Sequence, residues 1–493
     1  MICAHGADTT KAVRGYGIVP APKSVVMDKG ELVFSGRIAA KQPELRPLAV
    51  VFSDEFTLLT GKKMSVADGD AMDGDVVLEI DTKLKDETYA IEVQKYASVR
   101  GGGYNAVAMG TVTLLQAISV QDSGDKAPHM TLIDEPHAAY RGLLIDLARH
   151  GHKLQTLKQL VVMCRWYKIR YLQLHMTDDE SFTFSSKTFP NAATAGRHYT
   201  LEELQQLETF ACDRGVTLVP ELETPGHSAS LRKALPQLNC TSGGGAMCPG
   251  SESTYAVIDT LVGEMCAVFK ASPYFHAGCD EVNTSGWSKC DTCKAYMQKH
   301  DLENTHELFR HFIGRAHEIV KKHGKLTIVW EGFQRGGKTV IPREILIMPF
   351  EGGKYYRPDH LVEDGYTLIN TSWQPLYVVS HRPAPIGQWS PEYIYKWNMF
   401  RWEHFRQWAP AYDPIQLPST APVIGAQMCA WEQPDEVEIP SLRLRLPAMS
   451  ERLWSSPAVC DFKDFSERLT STDAALTKLL QVNPHSPALR TTP

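Results

Sequence analysis

The chain has 493 residues, of which 43% are hydrophobic and 22% are charged, and its formal net charge is -6. This composition is typical of a globular protein with room for two or three domains. The lack of a long basic run argues against nucleic acid as the main partner, and no apolar stretch is long enough to span a bilayer.

The first residues, 1–15, lack the basic and apolar segments of a signal peptide. Two compartments are compatible with this observation. The protein is cytoplasmic, or it is secreted or periplasmic and its signal was removed before the sequence was recorded. We expect the second alternative.

Residues 1–135 predict a small α+β domain. The alternating run at 89–93 predicts a strand, and the run at 110–116 predicts a helix. The stretch 121–129 is rich in Asp, Ser, Gly and Pro, which predicts a loop at the domain boundary.

Residues 136–460 contain apolar runs of strand type that alternate with helical segments. The eight predicted strands are 142–145, 171–174, 217–220, 274–278, 326–329, 345–348, 367–369 and 423–428, and the clearest helices are 154–167, 201–212, 254–269 and 305–322. This alternation predicts an α/β fold, a (β/α)8 TIM barrel. An open doubly wound sheet is the alternative, but no glycine-rich phosphate loop follows the first strand. Residues 461–493 predict a C-terminal helix and tail.

Carboxylates and aromatic residues follow the predicted strands. In a barrel of this type the catalytic residues lie at the carboxyl ends of the strands. Asp280 and Glu281 come directly after the fourth strand, and Trp330, Trp373 and Trp431 follow later ones. Each tryptophan alone fits core packing, but together with the acidic pair they indicate a sugar pocket. We predict neither a metal nor a cofactor in this pocket.

The 11 cysteines do not form the pattern of a small disulfide scaffold. Cys290 and Cys293 have the C-x-x-C spacing, which is half of a zinc site, and Cys240 and Cys248 lie upstream. Nothing in their spacing demands a metal. We therefore expect structural thiols or a local disulfide before zinc.

Five stretches in order carry a family resemblance. They are Arg141–His150, His175–Asp179, Pro220–His227, His276–Val282 and Glu451–Trp454. In these stretches the barrel resembles glycoside hydrolase family 20, the β-N-acetylhexosaminidases, and the N-terminal domain resembles that family's small α+β domain. The resemblance covers about residues 15–460.

The resemblance implies a retaining exo-hydrolase in which the 2-acetamido group of the substrate is the nucleophile and closes an oxazolinium ring. Glu281 would be the general acid and base, with a pKa raised by burial and a nearby carboxylate. Asp280 would stay ionised and hold the acetamido N–H, and Tyr377 would donate to the acetamido oxygen. The remaining implied residues are Asp178 and His227 behind Glu281, Arg149 at O3 and O4, and Trp330, Phe350 and Trp431 as pocket walls. The expected partner is an oligosaccharide or a glycoprotein glycan.

The chain departs from the family pattern at several positions. Cys279 stands where the family usually has a second glycine, and Phe350 replaces a usual tryptophan. Val379 and Gln433 stand where carboxylates usually hold O4 and O6 of the sugar. Drift or a misalignment by one residue explains the last two.

The alternative explanation is a sugar sulfated at O6, which a carboxylate would repel. Trp373 and the 370–372 turn would then supply donors to the sulfate. A non-catalytic glycan-binding protein on the same fold is a further alternative, although it would be expected to lose the acid or the acetamido-orienting groups.

Overall fold

The computed structural model describes residues 17–119, 125–380, 389–404 and 413–481. A small α+β domain comes first, a closed barrel follows, and a long helix ends the described chain. Within these residues no helix is both long enough and apolar enough to cross a membrane.

The small domain is a seven-stranded mixed sheet with two helices. Its strands are β1 (Val25–Val33), β2 (Arg37–Ala40), β3 (Ser65–Ala67), β4 (Val76–Ile80), β5 (Tyr89–Val93), β6 (Ala97–Gly101) and β7 (Lys126–Asp134), and its helices are α1 (Arg46–Thr60) and α2 (Tyr104–Ser119). The strand order is β1-β7-β5-β6-β4-β2-β3. The predicted strand at 89–93 and the predicted helix at 110–116 are confirmed.

The predicted loop at 121–129 is wrong from Lys126 onward, where β7 begins. Residues 120–124 lie outside the described part. Ala127, Met130 and Leu132 are buried in this strand, so the apolar alternation overrides the turn-forming composition. Pro128 is tolerated because β7 pairs there with β1 alone.

The barrel contains eight parallel strands in the described residues, which confirms the predicted fold. They are β8 (Tyr140–Asp146), β9 (Tyr171–His175), β10 (Thr217–Thr224), β11 (Tyr274–Gly278), β12 (Leu326–Trp330), β13 (Leu346–Met348), β14 (Thr367–Asn370) and β18 (Val423–Ala430). Neighbours in the chain pair in order, and β18 closes the barrel by pairing with both β14 and β8. The carboxyl ends of all eight strands therefore meet at one end of the barrel.

Helices and three short strands connect and surround the barrel. The helices are α3 (Leu154–Trp166), α4 (Leu201–Cys212), α5 (Ala229–Ala234), α6 (Glu252–Val268), α7 (Asp291–Lys299), α8 (Thr305–Lys322), α9 (Pro358–Glu363), α10 (Trp373–Leu376), α11 (Pro391–Lys396), α12 (Asp435–Leu442), α13 (Arg445–Trp454) and α14 (Phe462–Leu479). The short strands are β15 (Tyr377–Val378), β16 (Arg401–Trp402) and β17 (Ile415–Gln416). The predicted C-terminal helix corresponds to α14, and the predicted tail beyond 481 lies outside the described residues.

The small domain packs against the amino ends of the barrel strands. Arg141, at the start of β8, donates to Glu87 Oε2 of the small domain at 3.0 Å. Asp134 Oδ2 accepts from Tyr89 Oη of its own domain and from Trp454 Nε1 of the barrel, both at 2.9 Å. The interface therefore lies at the end of the barrel opposite the carboxyl ends of the strands.

Helix α14 is tied to both domains through one buried arginine. Arg468 donates to Glu451 Oε1 of α13 at 2.7 Å, to Asp464 Oδ1 at 2.7 Å and to the Ile18 carbonyl at 2.6 Å. The other Glu451 oxygen accepts from the Ala21 backbone N–H at 3.0 Å. The hydrogen bonds of Arg468 and Glu451 thus connect the first described residues, the barrel and the last helix.

Candidate active site

A cavity of about 200 Å³ opens at the carboxyl ends of the barrel strands. This is smaller than the 300–1,000 Å³ of pockets for drug-sized ligands, so it suits one small polar unit. Its lining in the described part of the chain is Arg149, His227, Asp280, Glu281, Phe350, Trp373, Tyr377, Val379, Trp431 and Glu432. Eight of these ten residues were predicted as site residues from the sequence, and Val379 was singled out there as a departure from the family pattern.

The backbone after β11 adopts left-handed conformations that place two adjacent carboxylates at this cavity. Cys279 has φ 80° and Glu281 has φ 44°, which costs about 1–2 kcal/mol for each residue that is not glycine. Gly278 precedes them with φ 72°, and a Cβ there would lie 2.0 Å from Glu223 Oε2. Local sterics therefore require the glycine, and Asp280 and Glu281 diverge into different environments.

Glu281 is half exposed and bound to cations on two sides. Its Oε1 lies 3.2 Å from Lys354 Nζ, and its Oε2 lies 3.6 Å from His227 Nε2. The hydrogen bond from His227, followed by the charge of Lys354, outweighs burial and lowers the pKa of Glu281 to about 2. The expected raised pKa of Glu281 is therefore wrong, because the sequence revealed neither Lys354 nor the positive charge that His227 carries.

His227 lies between the acidic pair and a buried aspartate. Its Nδ1 is 3.1 Å from Asp178 Oδ1, and its Nε2 is 3.8 Å from Asp280 Oδ2. Burial would lower the pKa of His227, but Asp280, Asp178 and Glu281 together raise it to about 11. The proton of this group is therefore held on the imidazole at neutral pH.

Asp178 is fixed by three cationic neighbours. Besides His227, it meets Arg149 Nη2 at 2.6 Å and His175 Nε2 at 2.9 Å through its Oδ2. Burial would raise the pKa of Asp178, but the hydrogen bonds from both histidines hold it far below its usual range. Asp178 thus stays ionised and orients His227, the position predicted for it behind Glu281.

Asp280 has one carboxylate oxygen without a partner in the described residues. This Oδ1 atom is buried, although Asp280 lines the cavity. Burial and then the charge of Glu281 raise the pKa of Asp280, while the charge of His227 lowers it. An unpaired buried carboxylate oxygen requires a donor, and a ligand N–H would supply one.

Aromatic rings form the wall of the cavity. Tyr377 stacks on Trp373 with ring centroids 4.7 Å apart and lies nearly parallel to Phe350 at 6.2 Å. Trp431 lies 6.0 Å from Tyr377 and carries the Arg149 guanidinium 5.3 Å from its ring centroid. Flat apolar faces beside directed polar groups suit the C–H faces and hydroxyls of a sugar ring.

Trp330 was predicted as a wall but does not line the cavity. It is buried, and its Nε1 donates to Glu221 Oε1 at 2.8 Å. Glu221 also accepts from His175 at 2.8 Å and from Gln173 at 2.9 Å. Burial would raise the pKa of Glu221, but His175 and His276 hold it well below its usual range. Trp330 therefore supports the site from beneath, where it packs against Phe350 and Trp431.

Comparison with known families agrees with this architecture. Residues 139–457 match the model of the glycosyl hydrolase family 20 catalytic domain, and residues 15–135 match the model of domain 2 of that family. The chain belongs to glycosyl hydrolase family 20.

Several characterised proteins resemble this family 20 chain. The beta-hexosaminidase of Porphyromonas gingivalis is 26% identical over 92% of this chain and 62% of its own length. That of Vibrio furnissii is 28% identical over 54% of this chain and 49% of its own. The chain thus spans about half to three fifths of the length of these relatives.

Solved structures share the fold. The exo beta-N-acetylglucosaminidase of Vibrio harveyi, in complex with N-acetylglucosamine, has a TM-score of 0.80 at 23% identity and covers 94% of this chain and 78% of its own. The beta-N-acetylhexosaminidase of Bacteroides fragilis has a TM-score of 0.78 at 21% identity, with 92% and 94% covered.

Gln433 was predicted to contact the sugar, but the structure places it outside the cavity of this family 20 barrel. It is buried, and its Nε2 donates to Glu438 Oε1 and Ser441 Oγ, both at 2.8 Å. Glu432 lines the cavity instead, with a left-handed φ of 56°. Of the explanations left open for Gln433, the structure favours a misalignment by one residue, because the turn after β18 places Glu432 at the cavity.

Two residues of the site, Lys354 and Glu432, were missed from the sequence. Lys354 lies in the loop after β13, close behind Phe350, and contacts Glu281. Only its nearness in sequence to Phe350, a predicted wall residue, could have indicated that Lys354 belongs to the site. Glu432 directly follows Trp431, so a shift of one residue in the comparison with the family would have found it.

The side chains of the turn at 370–372 donate hydrogen bonds to backbone carbonyls of the protein. Asn370 Nδ2 donates to the carbonyls of Met399 and Arg401 at 2.9 Å, and Thr371 Oγ1 donates to the Pro349 carbonyl at 3.0 Å. Ser372 Oγ donates to backbone carbonyls as well. The predicted use of this turn as a source of donors to a sulfate is therefore not supported.

Proposed function

We propose that this protein is a retaining exo-β-N-acetylhexosaminidase that releases terminal N-acetylhexosamine from glycans by substrate-assisted catalysis. The observation that carries the proposal is the unequal environment of the two adjacent acids. Asp280 lines a cavity of about 200 Å³ and has one buried carboxylate oxygen without a partner in the described residues, whereas Glu281 lines the same cavity and is half exposed. One acid suits the acetamido N–H and the other suits the leaving oxygen.

Glu281 protonates the leaving oxygen and then activates water. At neutral pH the proton lies on His227, because the pKa of His227 is about 11 and that of Glu281 is about 2. A bound sugar excludes water from the site, which favours transfer of the proton to Glu281 because the transfer neutralises both groups. His227 and Glu281 thus share one proton, which lies on the imidazole before the transfer and on the carboxylate after it.

Asp280 accepts the acetamido N–H and stabilises positive charge as the amide carbonyl oxygen attacks C1. The Tyr377 hydroxyl donates a hydrogen bond to that carbonyl oxygen and keeps the oxygen aligned for its attack on C1. The Tyr377 ring is held by the stack with Trp373, so its hydroxyl position is defined before substrate binds. The oxazolinium ring then opens when water attacks C1 from the face that the aglycone left, and the anomeric configuration is retained.

Arg149 and the aromatic wall position the sugar ring. Two ion pairs fix the position of the Arg149 guanidinium, one with Asp146 at 3.1 Å and one with Asp178 at 2.6 Å. Its remaining N–H groups are therefore held in place. This agrees with the predicted contacts to O3 and O4. Trp431 offers an apolar face to the ring.

The alternative of a 6-O-sulfated substrate loses support from the structure. Glu432 brings a carboxylate to the cavity, and the donors of the 370–372 turn are engaged elsewhere. Val379 still lines the cavity without a charge. A carboxylate about 4 Å from a sulfate would cost about 4 kcal/mol at an effective dielectric near 20, so we favour an unsulfated O6.

The test is hydrolysis of an aryl N-acetyl-β-glucosaminide, with the product anomer followed by NMR. We expect release of the β-anomer first, no hydrolysis of the aryl β-glucoside, and a loss of about 10²–10⁴ in kcat for Glu281→Gln on a natural oligosaccharide. Equal cleavage of the glucoside would contradict participation of the acetamido group. Binding without any turnover would favour a glycan-binding protein, and preferred cleavage of the 6-sulfated aryl substrate would favour the sulfated alternative.

A further inference from the structure

Four buried cysteines from two different loops meet outside the sugar cavity. Cys240 and Cys248 belong to the segment after α5, and Cys290 and Cys293 flank the start of α7. Their four Sγ atoms all lie within 4.8 Å of one another. Neither the sugar chemistry nor the packing of the barrel requires four thiols at one point.

The spacing of the sulfurs is that of a tetrahedral thiolate site. Sγ–Sγ distances are 3.7 Å for Cys240–Cys293, 3.5 Å for Cys248–Cys293 and 4.0 Å for Cys248–Cys290. Four sulfurs about 2.3 Å from a central zinc ion stand about 3.8 Å from each other. The three Sγ–Sγ distances lie within a few tenths of an ångström of this value, so one ion fits among the four sulfurs.

The surroundings supply donors to sulfur, as thiolates require. The backbone N–H of Gly250 donates to Cys248, and that of Cys293 donates to Cys290. Thr241 Oγ1 lies 3.8 Å from Cys290 Sγ.

Close backbone contacts hold the two loops together. A Cβ on Gly250 would lie 2.7 Å from Cys293 Cα, and a Cβ on Gly286 would lie 2.4 Å from the Gly243 carbonyl oxygen. Trp287 Nε1 also donates to the Met247 carbonyl at 3.0 Å. The glycines let the loop after β10 and the loop after β11 approach closely enough to share ligands.

We propose that Cys240, Cys248, Cys290 and Cys293 form a structural Zn²⁺ site of the closed, four-thiolate type. This reverses the order expected from the sequence, in which spacing favoured thiols or a disulfide. One disulfide would leave two buried thiols and two disulfides would divide the cysteines into separate pairs, whereas the structure keeps all four as free thiols in one group. On binding, the thiols release their protons and four Zn–S bonds form with no change in oxidation state.

The site joins the loops that carry the catalytic groups. His227 lies upstream of Cys240 on the loop after β10, and Glu281 lies upstream of Cys290 on the loop after β11. A zinc ion would fix the separation of these loops and thereby the position of His227 relative to Glu281. The role is one of positioning, since no cysteine of the cluster lines the cavity in the described residues.

Metal content of the purified full chain tests the proposal independently of activity. We expect about one zinc ion per chain after expression with added zinc and gel filtration through a weak chelator. The variant Cys290→Ser/Cys293→Ser should retain less than about a fifth of that amount. The control Cys212→Ser/Cys460→Ser removes two half-buried cysteines outside the cluster and should keep the full content.

Cobalt substitution of the wild-type chain gives a second readout that does not depend on the variants folding. Tetrahedral thiolate coordination should produce visible d–d bands and a near-ultraviolet sulfur-to-cobalt band. Wild-type protein that binds neither zinc nor cobalt would overturn the proposal. So would an intact mass lower by two hydrogens for each pair of cluster cysteines, because that mass shows disulfides. Zinc that remains in the cluster variant would also overturn it.

Discussion

The imidazole Nε2 of His227 lies 3.6 Å from Glu281 Oε2, on the side of the carboxylate opposite Lys354. The other imidazole nitrogen is held by Asp178 at 3.1 Å. The histidine therefore cannot rotate away from the glutamate without losing its buried partner. In the proposed mechanism these two groups share one proton and together act as the acid.

The pH dependence of activity should change when His227 is removed. In the wild type, kcat/KM requires one proton on the pair, so its alkaline limit follows the His227 pKa of about 11, provided the fold survives. In His227→Gln the proton must stay on Glu281 alone, so the alkaline limb should move down by several pH units. A pH profile of kcat/KM on an aryl substrate measures this shift. An unchanged alkaline limb would contradict the shared proton.

The same variant should show a different dependence of stability on pH. The folded pKa of His227 is raised from 6.5 to about 11, so its stabilisation is complete below pH 6.5 and is lost as pH rises towards 11. Between pH 7 and 9, His227→Gln should therefore lose stability less steeply than the wild type, by up to about 1.4 kcal/mol per pH unit. Urea unfolding at several pH values gives the two slopes. Parallel slopes would show that the histidine is not charged in the folded protein.

Tyr377→Phe should lower kcat without loss of the fold. The substitution removes only the hydroxyl, while the ring contacts with Trp373 and Phe350 remain. Loss of one donor to the attacking carbonyl oxygen costs about 10²-fold in kcat, with little change in KM. Steady-state kinetics with aryl N-acetyl-β-glucosaminide tests this, and an unchanged melting temperature is the control. A change in KM alone would mean that Tyr377 only binds substrate.

Arg468→Met should destabilise the whole protein. The substitution leaves Glu451 and Asp464 as buried carboxylates without their cation, which costs about 3–5 kcal/mol. Lys463→Met is the matched control, because Lys463 is exposed on the same helix and its replacement should change stability by less than about 0.5 kcal/mol. The free energy of unfolding in urea measures both. Equal effects would show that the buried arginine is not a structural tie.

The sequence predicted the strands of the barrel because most of their residues are buried and therefore apolar. The run at 274–278 is apolar whatever follows it, and the acidic pair comes directly after it. The loops were less predictable, since their contacts join distant parts of the chain. Lys354 reaches Glu281 from another strand end, and only the turn conformation after β18 decides that Glu432 rather than Gln433 faces the cavity.

The cysteines illustrate the same limit. Cys240 and Cys293 are 53 positions apart, and no local pattern relates them. Their meeting depends on the closure of the barrel, which brings the loops after β10 and β11 side by side. Spacing alone therefore ranked a disulfide above a metal.

Asp134 ends the last strand of the small domain and accepts from Trp454 at the end of a barrel helix. A barrel expressed without the first 135 residues would expose that indole and the Arg141 guanidinium, both fully buried in the intact chain. The two regions that match separate family models therefore fold as one unit, although they are distinct in the sequence. Calorimetry of the intact chain should accordingly show one melting transition, with both domains lost together.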